Sequence, residues 1–120
     1  MLTNTTGDSN TAIGDDAMYS NSTGNKNTAL GRGALYSNTT SDNSVAIGYQ
    51  ALYTNTTGDR NIAIGTQAYD GADTENDNLA IGYDALGGAI AGGEFNVAIG
   101  NYSLDALTSG DKNTGVGYNA

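Results

Sequence analysis

NSVAIGYQALY, residues 43–53, holds the pattern that decides the fold of this chain, because closely similar stretches return along its whole length. Its glycine, Gly48, is one of seven that each follow a short aliphatic segment. These glycines are separated by 17, 17, 17, 17, 18 and 17 residues, and they are Gly14, Gly31, Gly48, Gly65, Gly82, Gly100 and Gly117. A fixed period of this kind indicates a repeat architecture in which each unit stacks on the next.

Each of these glycines is called position 0 of its unit, and the residues around it form columns. Position −1 is Ile, Leu or Val, while positions −2 and +3 are almost always Ala. Position +4 is usually Leu, and position −4 is usually Asn. Glycine inside every apolar segment and β-branched residues at fixed positions disfavour a helix. The pattern therefore predicts an all-β fold, a parallel β-solenoid (β-roll) of seven coils about 34 Å long.

Each unit is interpreted as two short strands joined by two turns. The first strand, as in residues 27–31, alternates aliphatic or Thr side chains at −3 and −1 with Ala at −2. The second, as in residues 34–36, points its +4 side chain inward. Since alternate strand residues face opposite sides, we expect the −3 and −1 side chains to line the interior. We expect partner chains to cover the flat alanine column, which is Ala12, Ala29, Ala46, Ala63, Ala80 and Ala98. A thin core favours such oligomerisation over a free monomer.

Residues 43–51 and 10–14 resemble the head repeats of trimeric autotransporter adhesins, the YadA-like heads, which also read Val-Ala-Ile-Gly-x-x-Ala. The longer form, residues 51–59, is similar to repeats in phage and virus tail fibres and in large surface proteins of marine bacteria. The resemblance covers the whole chain. It implies a left-handed β-roll, three chains around one axis, and a role in attachment. The unit here is longer than in the adhesin heads, with its additional residues in the polar turn.

The composition argues against several classes of function. Four Lys and Arg against 13 Asp and Glu give a net charge of −9, which disfavours a nucleic-acid partner. No apolar run is long enough for a membrane span. His and Cys are both absent, so the usual transition-metal ligands and the usual base of a Ser or Thr nucleophile are missing. We expect no enzyme activity and no cofactor.

Two polar columns are candidate sites. Position −6 is Asp, Asn or Glu in every unit, and these side chains are expected mainly to cap turns. Calcium is a weaker alternative, with its best candidates in one loop: Asp70, Asp73, Glu75 and Asp77. The Asn column at −4 is expected to form a hydrogen-bonded ladder rather than a recognition stripe.

Tyrosine is the abundant aromatic residue, and Tyr19, Tyr36 and Tyr53 share position +5. Such a row suits contact with a carbohydrate or a surface, although stacking that stiffens the rod is an equal alternative. The fifth unit carries the single inserted residue, in the glycine-rich stretch 87–93. Ile90 in that stretch and Phe95 after it are possible contact points, or the insertion is neutral. Asn-x-Ser/Thr triplets begin at Asn4, Asn21, Asn38, Asn55 and Asn101, mostly as a consequence of the repeat.

Residues 1–120 are thus expected to form a single repeat domain, a segment of a longer fibre, since neither end resembles a cap. The leading hypothesis is a homotrimeric attachment segment of a viral or phage tail fibre, or of an adhesin on a bacterial surface. Its partner would be a cell-surface receptor or glycan. The alternatives are a structural filament or surface-layer subunit without a receptor, and a monomeric solenoid that binds ice or mineral.

Overall fold

The computed structural model describes residues 3–88 and 92–120 and shows a β-solenoid. It contains one parallel sheet of seven three-residue strands in sequence order, so that about six turns of chain separate the first strand from the last. The strands are β1 (Thr11–Ile13), β2 (Thr28–Leu30), β3 (Val45–Ile47), β4 (Ile62–Ile64), β5 (Leu79–Ile81), β6 (Val97–Ile99) and β7 (Thr114–Val116). The rod measures 39 × 23 × 18 Å.

Each residue lies against its counterpart in the next coil. Ala46 of β3 pairs with Ala29 of β2 on one side and with Ala63 of β4 on the other. Backbone hydrogen bonds of the same kind continue outside the strands, as from the amide of Leu35 to the carbonyl of Ala51 at 3.0 Å. Because they connect consecutive coils throughout, the register predicted from the glycine spacing is confirmed, including its 18-residue step between β5 and β6.

The two faces of the sheet are reversed relative to the sequence-based expectation. Within a single chain, five residues of the alanine column are fully buried: Ala29, Ala46, Ala63, Ala80 and Ala98. Ala12, in the first coil, is half-buried. The aliphatic side chains at −1 point outward instead, and Leu30 is 44% exposed. The expectation that alanine forms the face covered by partner chains is therefore wrong, because the narrow coil interior has room only for a methyl group beside the +4 side chain.

The second predicted strand is also absent among the described residues, and a turn takes its place. Leu35 has φ of 51°, and every described residue at +4 has a similarly positive φ. Left-handed backbone is not extended, so the chain turns a corner where the sequence had indicated β structure. The prediction that the +4 side chain points inward is confirmed, since Leu35 and Leu52 are fully buried.

The glycine at position 0 is required by both conformation and space. Gly65 has φ of 138°, and a Cβ built there would lie 2.2 Å from the carbonyl oxygen of Gly82 in the next coil. Gly14, Gly31, Gly48 and Gly100 meet the backbone of the next coil equally closely. Gly117, in the last strand's coil, has φ of 128° but meets nothing nearer than the Ala120 Cβ at 3.9 Å. Position 0 is thus a point of close contact between successive coils, as is position −7, where a Cβ on Gly58 would lie 2.2 Å from the carbonyl oxygen of Glu75.

Gly65→Ala is expected to destabilise the fold by about 3 kcal/mol or more, because backbone strain and collision with the next coil act together. Gly117→Ala is the matched control, since it keeps the strain without the collision and should cost about 1 kcal/mol. Urea denaturation followed by circular dichroism measures both. Equal losses for the two variants would contradict the close approach of coils at this position.

Within the described residues there is no helix with the length and apolar character needed to cross a membrane.

Candidate interaction surfaces

The outward side of the sheet forms a continuous surface, here called the aliphatic face. It consists of the −3 and −1 side chains of all seven strands: Thr11 and Ile13, Thr28 and Leu30, Val45 and Ile47, Ile62 and Ile64, Leu79 and Ile81, Val97 and Ile99, and Thr114 and Val116. Ile64 in its centre is 36% exposed, and Ile13 near one end is 60% exposed.

The aliphatic face has the properties of an interface. None of its residues is charged, although the chain carries a net charge of −9. With strands about 4.8 Å apart and side chains covering a width of about 10 Å, the face extends over roughly 300 Å². Contiguous apolar patches of that size on soluble proteins are often contact sites. This surface was not predicted from the sequence, because its side chains were expected to line the coil interior.

The Asn column at −4 lies inside the solenoid and forms the expected ladder. Asn61 is fully buried, and its Oδ1 accepts a hydrogen bond from the backbone amide of Asn78 at 2.9 Å. Its Nδ2 donates to the carbonyl of Glu75 at 2.6 Å. Most rungs join a side-chain oxygen to the next coil's backbone, whereas Asn113 also donates from its amide to the Asn96 amide. The ladder is confirmed, and its burial argues against recognition at these residues.

Removing one rung should be costly. Asn61→Ala leaves the backbone amide of Asn78 and the Glu75 carbonyl without partners inside the coil. We therefore expect the free energy of unfolding to fall by about 2 to 4 kcal/mol. Asn61→Ser should lose less, because Ser44 stands in this column and its Oγ accepts from the Asn61 amide at 3.3 Å. Thermal unfolding of the wild-type chain and the two variants gives their order of stability. Equal stability of the Ala and Ser variants would contradict the ladder.

The asparagines of the Asn-x-Ser/Thr triplets fall into two groups. Asn21, Asn38 and Asn55 at position +7 are fully buried in a second asparagine column, where Asn38 donates to Asn21 at 2.6 Å. Asn4 and Asn101 are exposed. The three buried residues have a structural role in this column, and the sequence did not indicate that role.

The acidic column at −6 connects coils instead of capping its own turns. The Oδ1 of Asp59 accepts from the backbone amide of Asp42 in the preceding coil at 2.8 Å. Asn25 and Asp111 accept from the preceding coil in the same way. The turn-capping interpretation was therefore wrong about the partner, and these oxygens form a third ladder along the rod.

The four calcium candidates are held separately. Asp77 makes a two-point ion pair with Arg60, at 2.7 Å to Nε and 2.9 Å to Nη2, which lowers the pKa of its carboxyl group. Asp73 accepts from Thr56 Oγ1, and partial burial raises the pKa of Asp70, with the nearby Asp84 adding to it. Among the residues described, no three acidic side chains are grouped so that they could hold a metal ion.

Glu75 fastens the irregular fifth unit. It is 5% exposed, and its Oε2 accepts from the backbone amides of Asp73 and Thr74, while Oε1 accepts from the amide of Gly92 at 2.9 Å. Burial opposes ionisation of this group, but the backbone hydrogen bonds from Asp73, Gly92 and Thr74 outweigh it and lower its pKa. The carboxylate thereby ties Gly92, within the glycine-rich stretch 87–93, to the preceding coil.

Because the pKa of Glu75 is lower in the folded chain, its stabilising effect is present above the usual value of 4.5 and is lost as the pH falls through the folded value. Glu75→Gln should cost about 1 kcal/mol at neutral pH and flatten the fall in stability below about pH 5. Asp15→Asn is the control, since it leaves the Glu75 hydrogen bonds intact. Denaturation at a series of pH values tests this, and an unchanged profile for Glu75→Gln would contradict it.

Tyr19, Tyr36 and Tyr53 stack on one another along the rod. Their ring centroids are 5.0 and 4.9 Å apart, with interplanar angles of 9° and 15°. Partial burial raises the pKa of Tyr36, and the neighbouring Tyr53, Tyr19 and Asp16 raise it further. This stacking supports the interpretation that the tyrosines stiffen the rod. Their contact with a ligand stays a prediction.

A shallow depression lies beside this stack. It has a volume of about 60 Å³ and is lined by Asp16, Arg32, Gly33, Tyr36, Tyr49, Gln50 and Tyr53. Arg32 lies over the Tyr49 ring, with Cζ 6.0 Å from the centroid, and its Nε is 3.5 Å from Asp15 Oδ2. The other predicted contact point, Phe95, is 51% exposed, whereas Ile90 lies outside the described residues.

No protein-family model matches this chain, and no curated protein or solved structure matches it.

Proposed function

We propose that the chain is a segment of a trimeric attachment fibre in which three left-handed solenoids pack their aliphatic faces around one axis. The observation that carries the proposal is the aliphatic face itself, since one chain leaves an uncharged sheet surface open to water along its whole length. Covering a half-exposed Ile or Leu gains about 1 kcal/mol, so seven rows supply a substantial driving force.

The site of action follows from this architecture. A rod of stacked coils can serve as a spacer or as a contact surface, which suits a viral or phage tail fibre or a bacterial cell-surface adhesin. The receptor or glycan would be met by the turns and the tyrosines, which lie outside the aliphatic face. Neither a nucleic acid nor a membrane is proposed as partner, and no enzyme activity, calcium or other cofactor is proposed.

Ile64→Asp tests the trimer. The wild-type chain is expected to have three times the chain mass by sedimentation equilibrium, and the variant to be monomeric, because the charge would be buried at the centre of the face. Thr66→Asp adds the same charge just beyond the strand and should remain trimeric. A monomeric wild-type protein would contradict the proposal, as would a trimer that Ile64→Asp leaves intact.

A second candidate function rests on the regularity of the same face. Its two columns lie about 6.7 Å apart, with rows about 4.8 Å apart. Such a flat array also suits a monomer that binds an ordered surface such as ice or mineral. Monomeric mass together with thermal hysteresis that Ile64→Asp abolishes would favour this candidate. A structural filament or surface-layer subunit predicts long assemblies at high concentration in place of discrete trimers.

A further inference from the structure

The depression beside the tyrosine stack exists because one residue in a column is missing its side chain. Position +2 carries Asp16, Gln50 and Gln67 in three of the first four coils, whereas the second coil has Gly33. All four residues have left-handed φ, from 55° to 68°. Glycine is therefore not required for the backbone there, since Asp and Gln adopt the same conformation one coil away. Glycine at 33 instead leaves room for the Tyr53 ring, whose Cε2 would lie 3.3 Å from a Cβ built there, and a larger side chain would extend into the depression.

The space is bounded by two kinds of group. Tyr49 contributes an aromatic ring that is 43% exposed, beside the hydroxyl-bearing rings of Tyr36 and Tyr53. Polar groups stand around it: the Asp16 carboxylate, the Arg32 guanidinium and the Gln50 amide. Together they offer an apolar platform with fixed donors and acceptors at its edge. A pyranose has matching chemistry, with a C–H face for the ring and neighbouring hydroxyl groups for the polar side chains.

The charges select among saccharides. Among the described residues that line the depression, Arg32 is the one cation; it is already paired with Asp15, while Asp16 adds a second carboxylate. The chain as a whole carries a net charge of −9. An acidic sugar would be repelled by these negative charges, whereas a neutral hexose or N-acetylhexosamine would not be.

We propose that the depression at Gly33 binds one neutral pyranose residue of a glycan. A volume of about 60 Å³ receives one edge of a hexose, so a single site is weak, with a Kd on the order of 1–10 mM. This inference deepens the proposed attachment function and rests on it for avidity, because three copies in one fibre present three such sites to a glycan surface.

The test uses ¹⁵N-labelled wild-type chain titrated separately with methyl α-D-mannopyranoside, methyl β-D-glucopyranoside, N-acetylglucosamine and N-acetylneuraminic acid. At least one neutral sugar should give saturable shifts confined to residues around Gly33. Gly33→Gln fills the space with the residue of the next two coils, and Tyr49→Ala removes the platform. Each should weaken binding at least tenfold. Gln67→Gly makes the reverse exchange at the same position of a coil without the tyrosine stack, and this variant should bind as the wild type does.

Three results would overturn the inference: no saturable shift with any neutral sugar, binding by Gly33→Gln or Tyr49→Ala as tight as that of the wild-type chain, or tighter binding of N-acetylneuraminic acid. Sedimentation of the same samples separates this outcome from the fate of the fibre proposal. A trimer that binds no sugar removes the site alone, while a monomer that binds sugar at Gly33 keeps the site and removes the fibre.

Discussion

In-register stacking, in which every residue lies on its counterpart one coil away, is the constraint on which the rest of this structure depends. Because coils are separated by one strand spacing, a side chain inside the rod must fit against a copy of itself about 4.8 Å away. Methyl groups, amides that hydrogen-bond along the column and a single inward Leu satisfy that condition. At position 0 the constraint excludes any side chain, since a Cβ on Gly48 would lie 2.3 Å from the carbonyl oxygen of Gly65.

The same constraint explains why polar side chains are buried here without loss of stability. An asparagine inside a coil would cost free energy if its amide lacked partners. In the column at position −4 the next coil provides them, as when Asn96 Oδ1 accepts from the backbone amide of Asn113 at 2.9 Å. The column at position +7 is less completely satisfied, because Asn38 Oδ1 and Asn55 Oδ1 are both buried and accept no hydrogen bond. Buried polar columns thus help to fix the register of the coils as well as to stabilise the fold.

The sequence predicted the period, the parallel sheet and the Asn ladder, because each depends on spacing alone. It did not predict which face of the strand points into the coil. Both faces are apolar, so alternation alone cannot tell whether Ala46 or the pair Val45 and Ile47 lies on the inward side. Nor did it predict the turn at +4. Non-glycine residues such as Leu52, with φ of 51°, carry no sequence signal for left-handed backbone. The depression at Gly33 was likewise invisible, because it depends on which columns lie side by side.

The central claim is that alanine faces the coil interior while the aliphatic side chains face other copies of the chain. The chain has no cysteine, so a single thiol can be placed at will. Ile64→Cys and Ala63→Cys, compared under a short bis-maleimide cross-linker, test the claim most directly. The account predicts covalently linked chains from the thiol at position 64 and an unreactive thiol at position 63. Efficient cross-linking from position 63, with none from position 64, would contradict it.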